Sequence, residues 1–295
     1  MRDALFIISS ELFIVLTHAD EQEEEKDEAS DMSVRCALRW CGWQPNSELD
    51  AALAHANRLP VLMLCGDTFL TRLPDPVLQQ LEHFGNPTLG MNDAFKSVSR
   101  YWDRITHPAQ IIQSLPNAFA TMLDPADCGP AFISLPQDVQ GWAYDYPKAF
   151  FVKRVHKIRR QRPCEDEIAA ARTIIMSAKR PVIIAGGGVQ YSQGVAELTA
   201  LAEDFNIPVI ETIAGRANML ADHPLNIGPV GVTGSDSANA VAAKADVIIA
   251  VGTRLQDFTT GSWTAFAKDA KIVGVNVGRH DAMKHMSAPV VGDAK

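Results

Sequence analysis

Two stretches in the second half of the chain decide its fold: Pro181-Val-Ile-Ile-Ala-Gly-Gly-Gly-Val189 and Ala245-Asp-Val-Ile-Ile-Ala-Val-Gly-Thr-Arg254. Each contains a continuous run of valine, isoleucine and alanine that ends at glycine, which is typical of a parallel strand buried on both faces. In open α/β sheets, ligands bind at the carboxyl ends of such strands. The two glycine ends are therefore the first places to look for a binding site.

Helical and strand patterns alternate around these two stretches. Two further short apolar runs predict buried strands, Ile207–Thr212 and Lys271–Val277. Three segments space their apolar residues as amphipathic helices: Asp166–Ala178, Gln193–Phe205 with Ser192 as its N-cap, and Ser235–Lys244. Strands separated by helices pair in parallel through crossovers. Residues 163–295 are therefore predicted to form a complete Rossmann-like, doubly wound parallel-sheet domain.

The first half of the chain shows a second α/β pattern between residues 51 and 150. Two apolar runs predict buried strands, at Arg58–Asp67 and Gly129–Asp138. Two segments have helical spacing: Pro76–Phe84, and Pro108–Leu123 with an interruption or offset at Pro116. Strands separated by helices predict parallel pairing through crossovers here as well.

Two segments fall outside these domains. Residues 1–50 join an apolar dozen to the acidic run Asp20–Glu28 without a sustained period, which predicts an atypical and partly disordered segment. Residues 151–162 form the one strongly basic stretch of the chain. Because this stretch lies between two α/β patterns and holds few aromatic residues, we predict an interdomain linker rather than a phosphate-binding surface.

The composition excludes several classes of protein. A formal charge of −8 argues against a nucleic-acid partner, because phosphate binding needs a basic face. The apolar stretch Leu5–Leu16 is too short for a bilayer and is interrupted by polar residues, so neither a signal peptide nor a membrane anchor is predicted. Five cysteines without a C-x-x-C pair predict reduced thiols in the cytoplasm: Cys36, Cys41, Cys65, Cys128 and Cys164.

The glycine ends allow two interpretations. Gly186-Gly187-Gly188 could cradle a phosphate at the start of a helix, but Tyr191 stands where a dinucleotide fingerprint has its third glycine. A tight turn without a ligand is an equally good interpretation. The same alternatives hold for Gly252-Thr253-Arg254, whose hydroxyl and guanidinium groups could bind an anion or pair locally.

Catalytic and metal-binding motifs are not recognised. No nucleophile elbow, Walker A motif or H-E-x-x-H sequence occurs in the chain. His223, His280 and His285 lack partners at ligand spacing, so we predict no metal site and assign no catalytic residue from the residues themselves.

A set of motifs, taken in order, resembles one family. The motifs are Gly66-Asp-Thr-Phe69, Pro74-Asp-Pro-Val-Leu-Gln-Gln80, Asn92-Asp-Ala-Phe95, Val98-Ser-Arg-Tyr-Trp-Asp-Arg-Ile105, Leu135-Pro-Gln-Asp-Val-Gln140, Gly186-Gly-Gly-Val189, Gly231-Val-Thr-Gly234, Gly252-Thr-Arg254 and Asp257-Phe-Thr-Thr-Gly261. Together they resemble the thiamine-diphosphate-dependent 3D-(3,5/4)-trihydroxycyclohexane-1,2-dione hydrolases of myo-inositol breakdown, which are related to acetolactate synthase. The resemblance runs from about residue 51 to residue 295.

The resemblance implies a three-domain plan of which this sequence shows part. Residues 51–150 resemble the later part of a pyrimidine-binding domain, so the resemblance implies an incomplete pyrimidine-binding-type α/β domain there. Residues 163–295 resemble the whole central domain. A third domain, which holds the diphosphate of the cofactor through Mg²⁺, has no counterpart in the motifs. The family's glutamate that contacts the aminopyrimidine ring has no match in residues 1–50 either.

The resemblance also implies a set of cofactor-binding residues. In the first domain these residues line the end of a strand or lie near it: Gly66, Asp67, Thr68, Phe69 and Asn92, with Asp93 beside them. In the central domain they occupy matching strand ends: Gly186, Gly187, Gly188, Gly252, Thr253 and Arg254. The segment Val275–His280 lacks the acidic pattern typical of FAD-binding relatives, so we expect thiamine diphosphate and Mg²⁺ in the family but not FAD.

The implied activity is hydrolytic opening of the cyclic trihydroxy-dione to 5-deoxy-glucuronate by an oligomeric enzyme. Because the cofactor performs the carbanion chemistry and part of its site is not recognised, we expect this chain alone to be inactive. Two alternatives stay open: an acetolactate synthase-like enzyme acting on 2-keto acids, and a non-catalytic module for nucleotide binding or oligomerisation.

Overall fold

The computed structural model describes residues 15–16, 34–39, 47–71, 85–86, 89–156 and 158–295. The chain divides into two compact units, Met1–Ile158 and Arg159–Lys295. The division falls inside the segment 151–162 that the sequence predicts as a linker. The predicted helix Pro76–Phe84 and most of residues 1–50 lie outside the described residues.

The first unit contains a five-stranded sheet with the order β1-β2-β3-β5-β4. The strands are β1 (Val15–Leu16), β2 (Val34–Arg39), β3 (Val61–Asp67), β4 (Tyr101–Arg104) and β5 (Ala131–Pro136). All neighbours pair in parallel except β1, which is antiparallel to β2. The parallel pairs place the carboxyl ends of β3, β4 and β5 at one edge of the sheet.

Helices and apolar side chains cover this sheet. The helices are α1 (Ser47–Asn57), α2 (Ile111–Met122) and α3 (Gln137–Gln140), with 3₁₀ turns at Met91–Ser97, Pro108–Gln110 and Lys148–Phe151. Helix α2 runs through Pro116 without a break, although the sequence predicts an interruption or offset there. In the core, the Phe132 ring stacks on Phe95 with ring centres 4.5 Å apart. Both faces of β5 are therefore buried, as its apolar sequence indicates.

The second unit contains a six-stranded, fully parallel sheet with the order β11-β10-β9-β6-β7-β8. The strands are β6 (Pro181–Ala185), β7 (Val209–Glu211), β8 (Asn226–Pro229), β9 (Val247–Val251), β10 (Lys271–Asn276) and β11 (Ala288–Val291). This is the strand order of the Rossmann fold, with its switch point between β6 and β9. The predicted doubly wound fold is confirmed.

Both faces of the second sheet are packed against apolar side chains. The helices are α4 (Glu165–Met176), α5 (Gly187–Tyr191), α6 (Val195–Phe205), α7 (Asp236–Lys244), α8 (Asp257–Thr260) and α9 (Arg279–Ala282), with 3₁₀ turns at Ile213–Gly215 and Lys284–Met286. Alternate residues of β6 enter opposite cores: Ile183 packs in one cluster, and Val182 and Ile184 pack in the other. No helix among the described residues combines the length and the apolar character needed to cross a bilayer.

The one helix cap that the sequence predicts, at Ser192, is wrong, and a cap that was not predicted occurs at Ser235. The hydroxyl of Ser235 accepts a hydrogen bond from the backbone N–H of Ala238 and caps α7. Ser192 does not cap α6, which begins after Gly194. The Ser192 hydroxyl is instead buried and accepts a hydrogen bond from the N–H of Ala294 at 3.2 Å. Because the Ser192 hydroxyl is engaged in this tertiary contact, it does not accept a hydrogen bond from the first turn of α6.

The cap at Ser235 provides a test of the second unit. Ser235→Ala should lower the free energy of unfolding by about 1 kcal/mol, because the N–H of Ala238 loses its side-chain acceptor. Ser177→Ala is the matched control, since Ser177 is exposed and donates only to a carbonyl at the end of α4. Denaturant unfolding measures both changes, and equal losses in the two variants would contradict the capping role.

Candidate functional site

A polar cluster occupies the carboxyl edge of the sheet in the first unit. Asp67 is the last residue of β3, Arg104 is the last residue of β4, and Ser134 lies near the end of β5. One oxygen of Asp67, Oδ2, accepts a hydrogen bond from Arg104 Nε at 2.6 Å and another from the Ser134 hydroxyl. Three neighbouring strands thus bring their terminal polar side chains into direct contact.

The 3₁₀ turn at Met91–Ser97 completes the cluster. Asn92 Nδ2 donates to the carbonyl of Gly66 and to the Ser134 hydroxyl, both at 2.8 Å. Asp93 Oδ2 accepts from Arg104 Nη2 at 2.8 Å. The predicted site residues Gly66, Asp67 and Asn92 are therefore brought together, and Thr68 joins them through a hydrogen bond from its N–H to Asp67 Oδ1 at 2.8 Å. Phe69 follows directly, half-buried.

Charge pairing fixes the ionisation of this cluster. Burial raises the pKa of Asp93, but hydrogen bonds from Arg104 and Lys96 outweigh burial and lower that pKa to about 2. Burial lowers the pKa of Arg104, yet its hydrogen bonds to Asp93 and Asp67 raise it above the ordinary value. Lys96 lies 2.5 Å from Asp93 Oδ1 and 4.2 Å from the centre of the Trp102 ring. At neutral pH Asp93 is therefore ionised and pairs with the charged guanidinium of Arg104, although burial partly removes both groups from water.

One acceptor in the cluster has no partner among the described residues. Asn92 is 1% exposed, and its Oδ1 makes no hydrogen bond there, although its Nδ2 makes two. A buried carbonyl oxygen without a donor costs free energy, so such an atom marks a place where a ligand or a water would bind favourably.

The glycine segments of the second unit contact each other at the switch point. The N–H of Gly188 donates to the carbonyl of Gly252 at 2.9 Å. A Cβ atom on Gly186 would lie 2.3 Å from that carbonyl oxygen, and one on Gly188 would lie 2.7 Å from the Gly252 Cα. A Cβ on Gly187 would lie 2.9 Å from the carbonyl oxygen of Ala214. Glycine is therefore required here for the close approach of backbone to backbone, whether or not a ligand binds.

The residues after Gly252 are also engaged within the protein. The Thr253 hydroxyl accepts from the N–H of Leu255 at 3.2 Å, and the Thr253 carbonyl accepts from Asn276 Nδ2 at 3.0 Å. The carbonyl of Arg254 accepts from Lys284 Nζ at 2.9 Å. Phosphate binding by these predicted residues stays a prediction, and their observed contacts are those of a packed turn.

A second buried asparagine lies beside this turn. Asn218 is fully buried, and its Nδ2 donates to the carbonyl of Gly186 at 2.8 Å, while its Oδ1 has no partner among the described residues. Asn218 and Asn92 thus share one arrangement, in which the amide nitrogen holds a glycine carbonyl at a strand end and leaves the amide oxygen available. In the described part of the chain, no group of three or more His, Cys, Asp and Glu could hold a metal ion.

Sequence reasoning missed two central residues of the first cluster, Arg104 and Ser134. The strand that carries Arg104 is short and only half-buried, so it lacks the apolar run by which the other strands are recognised. The sequence does contain a signal for Arg104, because a charged residue at the end of a strand next to Asp67 is a candidate for an ion pair at the shared edge. The motif that contains Arg104 contributes to the resemblance, but the resemblance gives Arg104 no role.

Comparisons with known proteins first define a class. Residues 168–295 match the family model described as thiamine pyrophosphate enzyme, central domain. This match covers nearly all of the second unit, whose strand order agrees with it. The second unit is therefore a central domain of the thiamine pyrophosphate enzyme class.

Curated relatives then narrow the class. The chain is 48% identical over 250 residues to the 3D-(3,5/4)-trihydroxycyclohexane-1,2-dione hydrolase of Geobacillus thermodenitrificans (strain NG80-2), a match that covers 85% of this chain and 39% of the relative. It is 51% identical over 246 residues to the hydrolase of the same name from Bacillus subtilis (strain 168), with 83% and 39% covered. The chain is a homologue of these hydrolases, which confirms the resemblance found in its motifs. It spans about two fifths of their length.

The described residues fit one part of a thiamine diphosphate site and not another. The buried Asn92 Oδ1 is an acceptor suited to an amino group, such as the one on an aminopyrimidine ring. For the Mg²⁺ that accompanies the diphosphate, the described residues offer no cluster of three or more His, Cys, Asp and Glu side chains.

The close approach of the glycines gives a second prediction. Gly188→Ala should destabilise the second unit by about 1–3 kcal/mol, because the added methyl group would meet the backbone of Gly252. Gly85→Ala is the control, since a Cβ at Gly85 has no atom within 4 Å. Denaturant unfolding should show the loss only for Gly188→Ala, and a fully stable Gly188→Ala protein would contradict the packing interpretation.

The charge cluster gives a third prediction. Arg104→Met should lower the free energy of unfolding of the first unit by about 3–5 kcal/mol at pH 7, because it removes the guanidinium from the buried Asp67 and leaves Lys96 as the cation beside Asp93. Arg100→Met is the control, because its partner Asp127 is 69% exposed and such pairs contribute about 0–1 kcal/mol.

The same pair of proteins has a defined pH dependence. Asp93 has a pKa lowered from 3.8 to about 2, so its contribution is fully present above pH 3.8 and is lost as the pH falls through 2. The stability difference between wild type and Arg104→Met should therefore shrink between these pH values. A difference that does not change with pH would exclude Asp93 as the partner that Arg104 stabilises.

Proposed function

We propose that this chain supplies the pyrimidine-side and central parts of a thiamine-diphosphate-dependent hydrolase that opens the ring of 3D-(3,5/4)-trihydroxycyclohexane-1,2-dione. The observation that carries the proposal is 48–51% identity to hydrolases of that name over 246–250 residues. Because that match is longer than the second unit, the similarity extends into the first unit as well. The proposal therefore concerns both units and not the central domain alone.

The carboxyl edge of the first sheet is the proposed cofactor-facing surface. Asn92 Oδ1 would accept a hydrogen bond from the amino group of the aminopyrimidine ring, since it is buried and lacks a donor within the described residues. Asp67 and Arg104 hold that edge in place through their ion pair, and Thr68 and Phe69 lie directly beyond it. Thiamine diphosphate, when bound, supplies the carbanion chemistry of such enzymes. The chain's own contribution is to orient the ring and to exclude water from it.

The proposal also concerns the compartment in which the protein works and its oligomeric state. Cys128 and Cys164 form no disulfide in the described part of the chain, and Cys128 has a pKa raised to about 12, mainly by burial. Thiols outside disulfides favour a reducing compartment, so we propose that the protein lies in the cytoplasm. We further propose that it works in an oligomer, with the small cyclic dione as substrate and without nucleic acid.

A non-catalytic module for nucleotide binding or oligomerisation is one alternative, since the glycine turns of the second unit lie at the switch point of its sheet. An acetolactate synthase-like reaction on 2-keto acids remains the other enzyme-class alternative.

A complementation experiment tests the proposal. The purified chain is mixed with a polypeptide that covers the part of the Bacillus subtilis hydrolase that it does not match. We expect hydrolysis of the dione by the mixture and by neither component alone, because the chain supplies only part of the cofactor site. Calorimetry should show no tight binding of thiamine diphosphate by the chain alone.

Each contrary result has a meaning. Tight thiamine diphosphate binding with hydrolysis by the chain alone would contradict the divided site. A mixture that is inactive on the dione but converts a 2-keto acid would favour the acetolactate synthase-like alternative. An inactive mixture in which the chain binds FAD or ADP saturably would favour the binding module.

A further inference from the structure

The segment Thr68–Thr71, which follows β3, is held at both ends by aspartates. At its start, Asp67 Oδ1 accepts a hydrogen bond from the N–H of Thr68 at 2.8 Å. At its end, the carboxylate of Asp138 accepts from the N–H of Leu70 at 3.1 Å and from the N–H of Thr71 at 2.8 Å. A strand that leaves a parallel sheet loses its ladder partners, so these side-chain acceptors replace them.

Of the two aspartates that hold the segment Thr68–Thr71, Asp138 accepts more hydrogen bonds from it than Asp67 does. Its Oδ2 also accepts from the Thr71 hydroxyl at 2.6 Å, and its Oδ1 accepts from the N–H of Val139 at 3.0 Å. Burial raises the pKa of Asp138, but hydrogen bonds from Thr71, Leu70 and Val139 lower it to about 2. The residue is therefore an ionised acceptor at neutral pH, and hydrogen bonds to a charged acceptor are stronger than those between neutral groups.

The position of Asp138 explains why it can reach this segment. Strands β3 and β5 are parallel neighbours, and Asp67 pairs in register with Pro136 at their carboxyl ends. Asp138 follows two residues later, in α3. Its carboxylate therefore ties the chain that leaves β3 to the chain that leaves β5, beyond the last pair of the sheet.

We propose that Asp138 is a positioning residue of the candidate site, which fixes the backbone of Thr68–Thr71 and with it Thr68 and Phe69. Asp138 acts through the N–H groups and the hydroxyl of that segment. Its effect on ligand binding rests on the proposed function, whereas its effect on the segment does not.

The substitution Asp138→Asn keeps the size of the side chain and removes its negative charge, so it tests whether the charged acceptor is needed. In Asp138→Asn one of the two oxygens becomes an NH₂ group, which would face N–H and hydroxyl donors instead of accepting from them. Thr71→Val removes only the hydroxyl donor. Asp124→Asn is the matched control, because Asp124 Oδ1 likewise accepts from two backbone N–H groups, of Ala126 and Asp127, but in the turn before β5 at the opposite edge of the sheet.

Amide hydrogen exchange of the intact chain tests the positioning role. In Asp138→Asn the amides of Leu70 and Thr71 should exchange about tenfold to a hundredfold faster than in wild type, while the exchange of β3 stays unchanged. Thr71→Val should accelerate the same amides less. Asp124→Asn should accelerate only amides near residues 126–127. Unchanged exchange at Leu70 and Thr71 in Asp138→Asn, or equal acceleration throughout the first unit, would overturn the proposal.

The complementation mixture provides a readout that a merely structural role would not change. In this mixture, Asp138→Asn should raise the half-saturating concentration of thiamine diphosphate or the KM for the dione about tenfold, with a smaller change in kcat. Asp124→Asn should leave the half-saturating concentration and the KM near their wild-type values. If the wild-type mixture is inactive, the proposed function fails and the exchange data still decide whether Asp138 holds the segment. An active mixture in which both variants bind like wild type would show that the segment does not position the ligand.

Discussion

The close contact between Gly188 and Gly252 is the constraint on which the second unit depends. Strands β6 and β9 are neighbours at the switch point of the sheet, and the turns that follow them must cross without side chains between them. Gly252 also has a φ of 61°, in the left-handed region that glycine adopts without strain. Strand β6 pairs with β9 on one side and with β7 on the other, and the close approach of the turns after β6 and β9 lets these two neighbours end side by side. The glycines that suggest a ligand site are first of all the residues that allow this fold.

The first unit closes the same edge of its sheet by a different interaction. There the ends of β3 and β4 are joined by charge, because Arg104 lies between Asp67 and Asp93. A buried ionic group loses hydration, so it is stabilising only when its partners are fully hydrogen-bonded, and replacement by apolar residues would often be less costly. Such groups gather at functional sites more often than in plain structural cores. The charged edge is therefore the stronger candidate for chemistry, and the glycine edge is the stronger determinant of the fold.

How far the sequence predicts the structure depends on whether a feature is local. The runs that became β6 and β9 are apolar throughout, so their strands and their parallel pairing could be read directly. The apolar spacing that predicts α7 is also a local signal, although it did not identify Ser235 as the cap of that helix. Strand β8 was missed because it is half-buried, contains Gly228 and Pro229, and pairs with β7 through an irregular register. Ser192 failed as a cap because its hydroxyl binds Ala294, about a hundred residues away. Non-local partners of this kind leave no periodic signal.

The two edges also differ in what they leave for a ligand. Each has a buried asparagine whose amide nitrogen holds a glycine carbonyl and whose oxygen is unpaired among the described residues, Asn92 in the first unit and Asn218 in the second. Around Asn218 the neighbouring turns are occupied by their own backbone contacts, since Gly188 is bonded to Gly252. Around Asn92 the neighbours are ionised side chains and a segment held at both ends by aspartates, which can present hydroxyl and aromatic groups without rearrangement of the sheet. Binding to a preorganised edge avoids the cost of ordering it. That difference is why the first unit carries the proposed cofactor-facing role, although the glycines of the second unit give the plainer sequence signal.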